Sequence, residues 1–326
     1  MTLDSIDQKL LGLLQTEFPL TPEPYNTLGS QLNISEGEVV LRIKRLKTKG
    51  IVRQISPVMD ARRLGYHTTL VVMRVAENQL EKAAQVIVGH PEISHGYERE
   101  HHFNLWFTLS VPSTAAIEVE LNQLTTIMGA EASFDLPATR LFKIGAYFGV
   151  DEESESTGIE TSTGGKLPQT VSLSQQDILV INEVQQDLPL VSRPFVEMAV
   201  RVGMDELTFL TQCRSLLKRH AMRRFGAAIN HRKAGFKANA MSCWKVLPER
   251  VNTVARALTS LQQVSHCYER KTNPLWPYNL FAMIHGHTRE TCQKIANQIS
   301  DECDLTNYVL LFSTREFKKT RVKYLV

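Results

Sequence analysis

The sequence predicts an α+β protein: two tandem copies of a helix-turn-helix (winged-helix) domain followed by a ferredoxin-like βαββαβ domain. Three observations carry that expectation. The 326-residue chain repeats itself on either side of an acidic Gly/Ser/Thr-rich segment. Each copy opens with apolar residues at helical spacing and then a short extended piece. Each copy continues with strand-like and helix-like runs in the order β-α-β-β-α-β.

The repeat is visible residue by residue. Asp7 matches Asp177, and Gly65-Tyr66 matches Gly235-Phe236, both at an offset of 170. Ser94-His95-Gly96-Tyr97-Glu98-Arg99 matches Ser265-His266-Cys267-Tyr268-Glu269-Arg270, five of the six being identical. Thr139-Arg140-Leu141-Phe142-Lys143 meets Thr314-Arg315-Glu316-Phe317-Lys318 at an offset of 175, so the second copy gains four residues between Arg270 and Asn279. The expected domains are 1–62 (winged helix), 63–150 (ferredoxin-like), 151–170 (flexible acidic linker), 171–233 (winged helix) and 234–326 (ferredoxin-like).

Leu10, Leu13 and Leu14 mark one helix face, and Val39, Ile43 and Leu46 another. Ser35 reads as the N-cap of the second of these and Gly50 as its stop. Residues 51–59 read as a wing. In the first α/β part, 68–75, 93–97, 103–111 and 133–148 read as strands, and helix faces fall at Leu80, Ala83, Ala84, Ile87 and at Ile117, Leu121, Leu124, Met128. The second copy repeats this with strands 238–246, 264–270, 278–284 and 305–317, and helices starting at Pro248 and Thr288.

Composition narrows the function classes. The net charge is +3, but residues 151–168 carry five acids and one lysine, which leaves the rest clearly basic. A basic body suits an anionic partner, either nucleic acid or a polycarboxylate. The five cysteines lie in the second half without a C-x-x-C pair, so neither a disulfide framework nor a zinc ribbon is expected. No apolar run reaches membrane-spanning length, and the first ten residues lack the basic-then-apolar order of a signal peptide; the expected location is the cytoplasm.

A helix-turn-helix followed by a ferredoxin-like domain resembles the leucine-responsive (Lrp/AsnC) regulators, through Leu32-Asn33-Ile34-Ser35, Arg45-Leu46, Gly50-Ile51 and Leu64-Gly65. A narrower resemblance is to siroheme decarboxylase in its fused two-subunit form. It rests on Arg223-Arg224-Phe225-Gly226-Ala227, His231-Arg232-Lys233-Ala234-Gly235-Phe236, Asn239-Ala240-Met241, Trp244 and Trp276-Pro277-Tyr278-Asn279-Leu280-Phe281. It implies removal of CO2 from two acetate side chains of siroheme to give 12,18-didecarboxysiroheme, for haem d1 or an alternative haem route. It implies no cofactor, since the iron belongs to the substrate. The recognition turns carry Glu36 and Glu38 in one copy and Asp205 and Glu206 in the other, which repel phosphate, so no DNA partner is expected. The stripe Arg42, Lys44, Arg45, Lys47, Lys49 is read as a solvated helix face. A ligand-sensing DNA-binding regulator is the competing reading, and a tetrapyrrole carrier without turnover is a third.

A polyanionic ring needs guanidinium groups at its rim, apolar faces and a proton donor. In a strand, residues two apart share a face, so His95, Tyr97 and Arg99 point one way, joined by His101 if the strand continues; His266, Tyr268 and Arg270 do likewise. Such a run is either a ligand site or a polar sheet face buried against the other copy. His266 is expected to be the proton donor or an axial iron ligand, with Arg270, Arg223 and Arg232 holding carboxylates that remain on the ring. His95, His101 and His231 are the fallback acids, and Arg99, Tyr97, Tyr268 and Lys237 complete the rim. Trp276 and Tyr278 either cover the ring or belong to a core. Arg140, Lys143, Arg315 and Lys318 either hold carboxylates or brace a strand end. His285 and His287 share a strand face, and no third metal ligand is evident, so no protein metal site is expected. The two copies are expected to pair within the chain, away from membranes, and the fold also allows homo-oligomers.

Overall fold

The structure is a computed structural model and describes residues 3–16, 18–144, 160–161, 169–229 and 238–324. The first copy runs α1 (Ser5–Thr16), α2 (Pro24–Leu32), α3 (Glu36–Thr48), β1 (Val52–Met59), β2 (Tyr66–Val75), α4 (Glu77–Gly89), β3 (Ile93–Arg99), β4 (Leu105–Pro112), α5 (Ile117–Met128) and β5 (Ala130–Ile144). The two-residue β6 (Glu160–Thr161) pairs with the end of β5. The second copy runs α6 (Gln175–Val184), α7 (Pro194–Arg201), α8 (Glu206–Lys218), β7 (Met222–Ile229), β8 (Ala238–Trp244), a 3-10 turn (Pro248–Arg250), α9 (Val251–Ser260), β9 (Val264–Arg270), β10 (Leu280–Gly286), α10 (Arg289–Glu302) and β11 (Tyr308–Lys319).

Local chemistry sets these boundaries. The Ser35 hydroxyl accepts from the Glu38 N–H at 3.2 Å and caps α3, while Thr288 caps α10. Ser174 and Asp177 form a reciprocal capping box on α6. Gly50, at φ 66°, ends the recognition-type helix in the left-handed region that glycine adopts without penalty.

The wings pair with each other instead of closing on their own domains. β1 and β7 run antiparallel, with Ile55 opposite Ala227 and Ser56 opposite Gly226. The two helix-turn-helix domains therefore share one core, in which Leu10, Leu14, Tyr25 and Leu46 of the first join Val180, Phe195, Phe209 and Leu216 of the second. The Tyr25 hydroxyl donates across the pair to the Pro189 carbonyl at 2.8 Å.

Each α/β half has the ferredoxin-like strand order, β5-β2-β4-β3 and β11-β8-β10-β9. The halves then join at both edges. β5 pairs with β2 through its first part and with β9 through its second, and β11 divides itself likewise between β8 and β3. The result is a closed eight-stranded barrel in which no half keeps a free edge strand. Helices α4 and α5 cover one sheet and α9 and α10 the other. The barrel interior mixes both halves, with Val72, Trp106, Phe134 and Leu136 against Met241, Phe281 and Leu311. The starts of β2 and β8 set one mouth of this barrel beneath the wing pair. Arg321, just beyond β11, fixes that arrangement by donating to the Ser56 and Pro57 carbonyls of β1 and the Gly226 carbonyl of β7.

Two expectations change. The basic stripe of α3 is a solvated face only in part: Lys44 and Lys49 are exposed, and the other three are engaged. Arg42 is ion-paired with Asp4, Asp7 and Glu38, Arg45 with Asp7, and Lys47 with Asp187 of the other copy, because buried Asp7 requires counter-charge. And β3 ends at Arg99, so His101 does not continue its face: the His101 Nδ1 accepts from the Phe103 N–H in a turn at the far end of the barrel. Apart from residues 160–161 and 169–170, the expected linker lies outside the described residues.

Candidate active site

Strands β3 and β9 deliver the repeated motif into the barrel. A register shift at Ser94 and at Ser265 resets the alternation after Ile93 and Val264, so Gly96 and Cys267 face the covering helices as well, and His95, Tyr97, Arg99 and His266, Tyr268, Arg270 turn inward. All but Arg99 keep some accessible surface although the barrel encloses them, so they line a hollow instead of a packed core. The histidines sit at the mouth beneath the wings, the tyrosines below them and the arginines deepest.

Burial governs the electrostatics. It holds His95 down at about 4, helped by the charges of Lys319 and Arg53 and opposed by Glu316. Burial takes His266 to about 3, with further depression from His285, His95, Arg224 and Lys319. Both imidazoles are therefore neutral near pH 7 and close enough to feel each other. The His95 Nδ1 is hydrogen-bonded to the Ser94 hydroxyl at 2.8 Å, and the His266 Nδ1 to the Ser265 hydroxyl at 2.7 Å. In the second copy the serine has a further partner, the His285 Nε2 at 2.7 Å.

The arginines stitch the halves together. Arg99 donates to the Leu311 carbonyl and Arg270 to the Leu136 carbonyl, each at 2.8 Å. Their guanidiniums lie 5.4 and 5.1 Å from the Tyr97 and Tyr268 ring centres. Burial pulls both down to about 10, which leaves them charged at neutral pH. Their Nε atoms are buried without a hydrogen-bond partner among the described residues. Arg223 projects from β7 and is bonded to Asp60 at 2.8 Å. Arg62, which donates to the Ala138 carbonyl, lies near Tyr268, Arg223 and Arg270.

Two cavities border these groups. A small one of about 150 Å³ lies between wing and barrel mouth, lined in part by Ser56, His95, Arg321 and Tyr324. An open cleft of about 940 Å³ lies beside the first half, lined in part by Arg62, His67, Asp135 and Lys271.

Other expected residues fall elsewhere. Trp276 is 2 % exposed and packs edge-on against Trp106 with ring centres 5.0 Å apart; with Phe103 and Tyr278 it plugs the barrel end opposite the histidines, so it is core and not a ring cover. Arg140 and Arg315 pair with Glu269 and Glu81, and Lys143 and Lys318 bond backbone carbonyls at helix ends; all four brace the outside of the barrel. His231, Arg232 and Lys237 lie outside the described residues. His90, Glu92 and Glu120 bring one ligand atom each within 4.8 Å of one another on the helix layer, where the His90 Nε2 is already hydrogen-bonded to Glu120. Sequence reasoning missed Ser265, Lys319, Arg224, Arg62 and Lys271. Their signals are a serine beside a buried histidine and unpaired changes between the copies: Ile144 stands where the second copy has Lys319, and Ser110 where it has His285.

The fold and the site define a tandem helix-turn-helix and AsnC-like protein with a polar, cation-rich chamber at its centre. The model of an AsnC-like ligand binding domain matches residues 63–143 and 233–318, and that of a siroheme decarboxylase NirDL-like HTH domain matches 7–53 and 177–223. The chain is 39% identical to siroheme decarboxylase of Hydrogenobacter thermophilus over 97% of its own length and 94% of the relative's. It is 30% identical to the siroheme decarboxylase NirDL subunit of Paracoccus pantotrophus, covering 98% and 97%. A siroheme decarboxylase beta subunit of Methanosarcina barkeri is 40% identical and is spanned over 99% of its length by 46% of this chain, so one copy here matches a whole subunit there. Crystal structures of the siroheme decarboxylase NirDL, alone and with an iron-uroporphyrin III analogue, superpose with TM-scores of 0.74 and 0.73 at 35% identity, each covering 99% of this chain and 95% of the other. The chain belongs to the siroheme decarboxylase family and is a carboxy-lyase. Among the described residues no helix is long and apolar enough to cross a membrane.

Proposed function

We propose that the chain removes CO2 from two acetate side chains of siroheme, giving 12,18-didecarboxysiroheme for haem d1 or an alternative haem route, and that His266 delivers the proton. The observation that carries this reading is the meeting of His95 and His266, both neutral, at a barrel mouth where Arg53, Arg224 and Lys319 bear on them against the carboxylate of Glu316. A chamber with an excess of cations suits a ring bearing many carboxylates. The wide cleft has a volume typical of ligand sites. Its Arg62 adjoins Arg223, Arg270 and Tyr268 on the His266 side.

Each decarboxylation replaces a carboxylate by hydrogen and so consumes one proton. Protonating the macrocycle edge provides an electron sink for the bond that breaks; the exocyclic methylene so formed is protonated to the methyl and the ring releases the first proton, so the net uptake is one. A neutral imidazole N–H set against the ring gives that proton without placing a permanent charge beside the leaving CO2. Arg62, Arg223 and Arg270 hold carboxylates that stay, since gripping the one that leaves would stabilise the ground state. The scheme needs no organic cofactor; the iron enters with the substrate. DNA binding has no comparable support, because α3 presents acids in its first turn and its arginines are ion-paired. Anaerobic incubation with siroheme followed by mass spectrometry tests the proposal: loss of two CO2 units is expected, and an unchanged spectrum under conditions where siroheme binds would refute it.

A further inference from the structure

Every CO2 released costs one proton, and two are needed per siroheme, yet His266 lies inside the barrel. With a ring seated over the mouth, His266 is shielded from water and its proton has to come through the protein. Its Nδ1 meets the Ser265 hydroxyl at 2.7 Å, and that hydroxyl also meets the His285 Nε2 at 2.7 Å. Ser265 is 5 % exposed; His266 and His285 are both partly buried, and His285 stands two residues nearer the end of β10 than Met283, the partner of His266. A serine hydroxyl has one hydrogen. When it donates to one imidazole it must accept from the other, so the two rings hold the same tautomer and switch together.

We propose that Ser265 and His285 form a proton relay that feeds His266 from the outer end of β10. The inference rests on the assignment of His266 as donor. In one step the His266 Nε2 gives its proton to the ring. The Ser265 proton passes to the His266 Nδ1, the His285 Nε2 proton passes to the Ser265 oxygen, and the His285 Nδ1 takes a proton from outside. One proton enters, one leaves, no electron is transferred, and both imidazoles start and finish neutral, each having switched tautomer. Once the ring has left the hollow, each imidazole loses one proton to water and gains one at its other nitrogen, which restores the starting tautomers.

The surroundings favour passage through neutral rings. Lys319 bears on His266 and on His285, while His95 and Arg224 bear on His266; each opposes a resident imidazolium. The first copy lacks the relay. There Ser94 meets His95 at 2.8 Å, but the position equivalent to His285 is Ser110, whose hydroxyl is hydrogen-bonded to Thr68 at 3.0 Å. The duplication has thus left one histidine supplied with a path and its twin without one. Ser265 and His285 are positioning residues in this reading, since neither touches the substrate.

The test is siroheme turnover by the full chain across pH, with Ser265→Ala, Ser265→Thr, His285→Gln and His285→Ala, and siroheme affinity measured in parallel. Expected are a kcat lowered roughly tenfold or more in Ser265→Ala and both His285 variants, short of the ~10²–10⁴ cost of removing the donor itself. Affinity should be unchanged, Ser265→Thr should recover much of the rate, and added imidazole should raise the rate of His285→Ala. Wild-type kcat at every pH in Ser265→Ala and His285→Gln overturns the relay. So does a lowered kcat that neither threonine nor imidazole restores, which would mark a packing role. His266→Gln separates the two readings. If it turns over normally, the donor assignment fails; if it is inactive while the relay variants are normal, the relay alone fails.

Discussion

Gly226→Ala tests how the wing pair controls the chamber. Gly226 lies in β7 opposite Ser56, where α1 ends against the sheet. A Cβ at this position would stand 2.5 Å from the Leu14 carbonyl oxygen and 3.0 Å from that of Gln15. Both are backbone atoms and cannot rotate aside. Restoring ordinary contact near 3.4 Å requires helix and strand to part by about 0.9 Å. Overpacking of this kind costs about 1–3 kcal/mol, with Tm falling by about 1.5 °C per kcal/mol in a chain of this size. The shift also reaches the site, because the Gly226 carbonyl accepts from Arg321 at 3.1 Å, and Arg321 ties the wings to the strand that carries Lys319. A misplacement on the order of 1 Å costs about 10²-fold in rate. Urea unfolding followed by circular dichroism, with anaerobic siroheme turnover on the same preparation, measures both effects. A variant as stable and as active as the parent would show that the sheet absorbs the methyl locally and that wing position does not govern the chamber.

Stability should fall as pH drops from about 6.5 toward 4. His95 and His285 are held down to about 4 and His266 to about 3, so the unfolded chain takes up protons that the folded chain refuses. Each contributes up to about 1.4 kcal/mol per pH unit, fully present above the unfolded pKa near 6.5 and lost below it. Urea midpoints at pH 7 and 5 check the sign, and a His266→Gln chain with an undiminished slope would contradict it. Asp7→Ala should destabilise by about 1–3 kcal/mol, since it removes a buried carboxylate shared by Arg42 and Arg45 while Arg42 keeps Asp4 and Glu38; no measurable loss in thermal melts would contradict the network. Cutting the chain between Gly164 and Gly165 should leave the halves associated and active on a sizing column, because three strand pairings join them; separated halves would contradict that.

The sequence by itself determined the duplication, the element order, the caps at Ser35 and Thr288 and the shared face of His95, Tyr97 and Arg99. All of these follow from local periodicity or from comparing one copy with the other, and the period of a strand alone decides which side chains share a face. It could not say what that face meets. Only the tertiary structure paired β3 with β11 and β9 with β5, and so turned two open sheets into a barrel with both histidines at one mouth. Strand pairing is decided by edges far apart in the chain, as Arg99 is from Ser313 and Ala138 from Arg270, which leave no mark in a local pattern. The same reason separates Trp276 from the site: it follows Arg270 closely in sequence, yet the chain has reached the opposite end of the barrel by then. It also joins His285 to His266 through Ser265 although the histidines come from different strands, because neighbouring strands lie only about 4.8 Å apart.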